Sequence, residues 1–167
     1  ETVSYWIVGN GPERVRLQQL AHTLGIQQRV KFIDEMPREQ LLRQLGAAIA
    51  LVHPSLHDSG GFVCLEAMAA GLPVVCLDLG GPALHVTDQA GIKVPATTPA
   101  ETVSQLAQAL ATLAAAPEQR ATLGQGGQKR AQAFSWSERG QYFAQLYAQL
   151  TETKAVPAEG VLSASHR

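Results

Sequence analysis

Cysteine is scarce. Cys64 and Cys76 are the only two in 167 residues, and both lie inside apolar runs. That fits buried thiols in a reducing compartment better than a disulfide scaffold or a thiolate metal site. Charge is low too: 16% of residues are charged and the formal net charge is -1. Nothing in the bulk electrostatics favours nucleic acid or an anionic membrane surface, so an anionic ligand must be held locally. No apolar run reaches the roughly 18 residues of a spanning helix, and the first residues lack the basic start of a signal peptide. A soluble, cytoplasmic domain is expected. There is no internal repeat, and the length suits one domain of about 100 to 200 residues.

What is present is an alternation of apolar strand-like runs with amphipathic helical stretches, the pattern of an α/β fold with a parallel sheet flanked by helices, Rossmann-like in layout. The first strand is expected from Val3 to Val8. The turn Gly9-Asn10-Gly11-Pro12 leads into a helix to about Leu24, with Val15, Leu17, Leu20, Ala21 and Leu24 at roughly helical spacing. Val30 to Ile33, Ile49 to His53, Val74 to Leu77 and Ile92 to Val94 read as further strands. Pro37 to Leu45 and Gly61 to Ala70 read as helices between them. Pro99 to Ala115 is a surface helix with Val103, Leu106, Ala107, Leu110 and Leu113 on one face. Another helix starts at Pro117, but Gly124, Gly126 and Gly127 are expected to interrupt or end it, since glycine costs about 1 kcal/mol per helical position. A last helix follows Ser135-Trp136-Ser137 to about Leu150. The domain is drawn as residues 1–150, with 151–167 a disordered tail.

The chemistry of an open parallel sheet lies at the carboxyl ends of its strands. There runs His57 to Val75, HDSGGFVCLEAMAAGLPVV, in which two acids, Asp58 and Glu66, stand astride the pair Gly60-Gly61 that opens an apolar helix. The glycines let a ligand approach the backbone. The first amides of the helix, on Gly61, Phe62 and Val63, carry partial positive charge toward the same place, a phosphate site that needs no lysine. Carboxylates suit vicinal hydroxyls. The ligand implied is a nucleotide sugar, with phosphates on the amides and one acid on each carbohydrate. Asp58 has helix capping as a competing role, Ser59 can donate to a phosphate or be a plain loop serine, and Gly9 and Gly11 make a tight turn that also can approach the donor. His53 and His85 read as structural, and His57 as pocket or surface. Trp136, Tyr142, Phe143 and Tyr147 read as core and docking surface.

Gly9-Asn10-Gly11-Pro12, Val30-Lys31-Phe32, Pro54-Ser55, Asp58 to Gly71, Pro73-Val74-Val75 and Gly80-Gly81 together resemble the C-terminal donor domain of retaining group 1 glycosyltransferases with the GT-B fold. The likeness covers about residues 3 to 150. It implies that Glu66 binds the ribose of the donor, that Asp58 contacts the transferred sugar at the reacting centre, and that Gly61, Phe62 and Val63, with Ser59 and Gly60, cradle the diphosphate. It further implies a UDP-, GDP- or ADP-sugar as donor, no other cofactor and no metal ion. The acceptor would be a glycan or lipid-linked sugar in polysaccharide biosynthesis, met by an acceptor domain of the same full-length protein at the inner face of the membrane. This chain alone would then be inactive. Three positions depart from the pattern: Asp58 replaces the usual Glu, Asp34 stands where Gly follows the second strand, and Leu84 stands where Glu often follows the Gly-Gly pair. A sugar-nucleotide epimerase of the same architecture and a non-catalytic nucleotide-binding module are the competing classes.

Overall fold

A computed structural model describes residues 3–153. They fall into two compact units, one running to Ala131 and one beginning at Gln132. In the first, strands β1 (Tyr5–Val8), β2 (Val30–Ile33), β3 (Leu51–His53), β4 (Val74–Leu77) and β5 (Gly91–Val94) alternate with helices α1 (Arg14–Thr23), α2 (Arg38–Ala47), α3 (Phe62–Ala69) and α4 (Gly80–His85). Helices α5 (Pro99–Ala115) and α6 (Pro117–Gln132) follow. Helix α7 (Trp136–Thr153) belongs to the second unit and carries no buried residue among those whose burial is described. Phe143, Tyr147 and Leu150 recur along it at helical spacing, and Trp136, expected as core or docking surface, is 91% exposed. Of the expected tail, residues 151–153 continue α7, and residues 154–167 lie outside the described residues.

All strand pairs are parallel, as an alternating β/α chain requires, because each return needs a helical crossover. The single sheet expected from sequence is divided: β1 pairs with β2, and β3, β4 and β5 pair in that order. Between them, Val3 to Val8 and Ala47 to Val52 line a largely apolar cavity of about 600 Å³. β4 is buried along its whole length, and its alternating side chains supply both faces. Val74 and Cys76 join Leu45, Cys64, Ala67, Met68, Leu72, Val86 and Ala90 in one core cluster. Val75 and Leu77 join Val94, Ala109, Leu113 and Leu123 in the other. The three-stranded sheet is thus held between α2 and α3 on one side and α5 on the other, with α6 reaching one cluster through Ala131 and the other through Leu123.

The clearest local boundary signal is at α5. Thr98 caps α5 by accepting from Glu101 N at 3.4 Å, with Pro99 in the first turn. Two features differ from expectation. Residues Gly80–His85 form a short helix that the sequence pattern did not reveal. Helix α6 passes unbroken through its three glycines, because they are contact points: a Cβ on Gly124 would run into Gly71 O, one on Gly126 into Gln89 O, and one on Gly127 would press on Met68. The helix propensity lost there is exchanged for backbone-to-backbone packing.

Candidate functional site

The loop from Pro54 to Gly61 leaves the carboxyl end of β3 and delivers the chain into α3. Gly61 caps that helix at φ +60°, a conformation open mainly to glycine, and a Cβ there would also lie 2.8 Å from Pro82 N. The next loop is locked against it. Gly81 N donates to Asp58 O at 2.9 Å, and a Cβ on Gly81 would come within 2.5 Å of Ser59 O. Glycines on both sides of this contact allow the ends of β3 and β4 to meet through their backbones.

Asp58 organises the loop. Its Oδ1 accepts from Gly60 N at 2.9 Å and Gly61 N at 2.8 Å, and its Oδ2 meets His53 Nε2 at 2.8 Å. The Gly61 amide, with the Gly60 amide and His53, holds the Asp58 carboxyl below its ordinary value against partial burial. From the other side His85 Nε2 lies 2.8 Å from Gly60 O, and Arg130 donates from Nη2 to Leu84 O at 2.9 Å and from Nε to His85 O at 3.2 Å. The two histidines read as structural therefore grip the very loop that carries the expected site.

At the start of α3, Cys64 N and Leu65 N donate to Gly61 O, and Gly61 N is committed to Asp58. The amides of Phe62 and Val63 remain as the open donors of the first turn. Glu66 stands one turn further along. Its Oε1 accepts from Arg38 Nη2 at 2.8 Å and Nε at 3.0 Å. Ser59, Gly60, Gly61, Phe62, Val63, Asp58 and Glu66 are thus brought together on one loop and helix. Gly9 and Gly11 instead line a 340 Å³ cavity at the end of β1 with Arg14 and Phe32, and none of the α3 residues lines it. Arg14 ties that turn down, donating to Gly9 O at 3.1 Å and Asn10 Oδ1 at 2.9 Å and pairing with Asp34 at 3.2 Å.

Arg14 and Arg38 were not singled out in the sequence. The available signal for Arg38 was its place at the first position of α2, where a cation faces the positive end of the helix dipole. Phe62 and Leu84 are exposed beside the loop, so the position where a Glu often stands offers an apolar surface. Among the described residues no group of three or more His, Cys, Asp or Glu is placed to hold a metal ion, and no helix is long and apolar enough to cross a membrane.

Residues 1–130 match the family of glycosyl transferases group 1. The chain belongs to that family. It is 38% identical over 149 residues to a D-inositol 3-phosphate glycosyltransferase of Kribbella flavida, covering 88% of this chain and 34% of the relative. It is 36% identical to the enzyme of the same name from Corynebacterium efficiens, over 84% of this chain and 32% of that one. This group 1 chain therefore spans about a third of the length of the curated relatives it matches. Among solved structures it superposes on sucrose-phosphate synthase from Thermosynechococcus elongatus with a TM-score of 0.75 and 31% identity, over 89% of this chain and 38% of the other. The Anabaena protein HepE in complex with UDP-glucose gives 0.74 and 28%, over 88% and 41%. The group 1 domain has the C-terminal fold of the GT-B architecture, with parallel strands flanked by helices.

Proposed function

We propose that this chain is the nucleotide-sugar donor-binding domain of a retaining glycosyltransferase that moves a hexose from an NDP-sugar to an acceptor hydroxyl. The observation that carries the reading is the arrangement around α3: two open amides at its N-terminus, Asp58 before it and Glu66 one turn in, all on a loop clamped from both sides. Phe62 and Val63 amides take the diphosphate, aided by the helix dipole and by Ser59, and stabilise the charge that develops on the leaving group. Glu66 accepts the ribose hydroxyls. Asp58 keeps lone-pair capacity on Oδ2 beyond His53 and accepts from the transferred sugar beside the reacting carbon. Gly9 and Gly11 let the β1 turn approach the donor. UDP and UDP-glucose bound to HepE support a uridine donor over GDP- or ADP-sugars.

The donor is a substrate, and neither a further cofactor nor a metal ion enters the proposal. The acceptor, a glycan or lipid-linked sugar, is met by an acceptor domain of the full-length protein, in the cytoplasm or at the inner face of the membrane. This domain alone binds donor and transfers nothing. Calorimetric titration of the chain with UDP, GDP, ADP and UDP-glucose tests the reading. Glu66→Ala should weaken the bound nucleotide at least about tenfold, because hydrogen bonds to a charged group contribute about 1.5 to 3 kcal/mol. Asp58→Asn should weaken UDP-glucose more than UDP. Absence of binding to all four ligands, or indifference to Glu66→Ala, overturns it.

A further inference from the structure

Arg38 and Glu66 lie 28 positions apart in sequence and on different helices, yet their side chains meet. Two of the guanidinium's donor nitrogens, Nε and Nη2, converge on one carboxylate oxygen, Oε1. A side-on fork would instead engage both oxygens. This grip leaves Oε2 with its lone pairs unclaimed among the described residues, while Oε1 is held in place by two bonds from a rigid group. The Arg38 side chain is 69% exposed and that of Glu66 28%, so solvent reaches the pair and water is the alternative partner for both. Exposed ion pairs of this kind contribute little to stability.

The position of Arg38 deepens the question. It is the first residue of α2, preceded by Pro37, where a cation is disfavoured by the dipole and an acid would be the ordinary choice. A local choice that opposes helix stability, and whose ion pair returns little, is best accounted for by what the pair does to Glu66. We propose that Arg38 is the positioning residue for the donor ribose: it pins Oε1 of Glu66 and thereby aims Oε2 at the vicinal hydroxyls. The inference rests on the donor-binding reading above. With Arg38 in place the acid meets the diol without first ordering its own side chain, whose rotamer freedom is already restricted.

The test uses the 167-residue chain, with calorimetry against UDP, or whichever of UDP, GDP and ADP the wild type binds, and against its 2′,3′-dideoxy counterpart. Arg38→Gln should weaken the ribonucleotide roughly five- to tenfold and the dideoxy ligand by less than about twofold, since only the former uses the oriented acid. Arg38→Lys, which keeps the charge but loses the fork, should fall between wild type and Arg38→Gln. Added to Glu66→Ala, the Arg38→Gln change should cost nothing more, because the two act through one interaction. Equal losses for both ligands would mean a phosphate contact or a general packing role, and tighter ribonucleotide binding would mean that Arg38 competes with the ribose. Either result overturns the proposal, as does an unchanged affinity. If the wild type binds and Glu66→Ala weakens it while the Arg38 variants do not, the positioning role falls and donor binding stands. If the wild type binds no nucleotide, or Glu66→Ala has no effect, both fall.

Discussion

A single carboxylate shows how one residue can shape a loop and still offer lone pairs to a ligand. Asp58 uses Oδ1 to tie down the two glycine amides that begin α3 and Oδ2 to meet His53, so the same side chain that would face a sugar also shapes the loop. Its folded-state value lies below the ordinary 3.8, chiefly through the Gly61 amide. A lowered carboxyl favours the folded state in its ionised form. That stabilisation is complete above the ordinary value and is lost as the pH falls below it, through the lowered folded value. The stability difference between wild type and Asp58→Asn, measured by urea unfolding, should therefore be constant above about pH 5 and shrink on further acidification. A difference that does not change with pH would show that the ionised form is not what holds the loop.

At the scale of elements, glycine carries the fold by being absent of side chain where backbones touch. In α6 the three glycines keep helical geometry and lie against Gly71, Gln89 and Met68. Gly126→Ala should lower stability by roughly 1 to 3 kcal/mol despite alanine's better helix propensity, because the Gln89 backbone must move to admit a methyl group. Gly46, in α2 with open space around its Cβ position, is the control: Gly46→Ala should raise stability by about 0.5 to 1 kcal/mol. Thermal unfolding of the two variants measures both signs. Two shifts of the same sign would remove close approach as the reason α6 tolerates its glycines.

At the scale of the whole unit, both thiols sit in the core cluster on the α3 side of β4. Burial pushes the Cys64 thiol up to about 12, with Cys76 and Asp58 adding to it, and burial pushes Cys76 up to about 11 against the opposing charge of Lys93. Native protein at pH 8 should resist iodoacetamide, and the two cysteines should become reactive together at the urea midpoint seen by circular dichroism. Labelling of one thiol well before the midpoint would show that α3 and β4 open separately.

Chain order, the strand and helix types and the acid-flanked glycine loop were legible from sequence, because apolar periodicity and turn residues are local properties and because the motif from Asp58 to Gly71 is contiguous. The α6 glycines misled for the same reason: propensity counts a residue's own cost and not the carbonyl that will lie against it. The partition into two sheets, the hold of His85 on the loop at Gly60, and the reach of Arg38 to Glu66 depend on residues far apart in sequence. Spacing along the chain carries no information about such distances. The sequence by itself determined the order of strands and helices and the contiguous run from Asp58 to Gly71; tertiary structure decided which atoms of that run are already engaged by other residues, since only packing brings their partners within hydrogen-bond range.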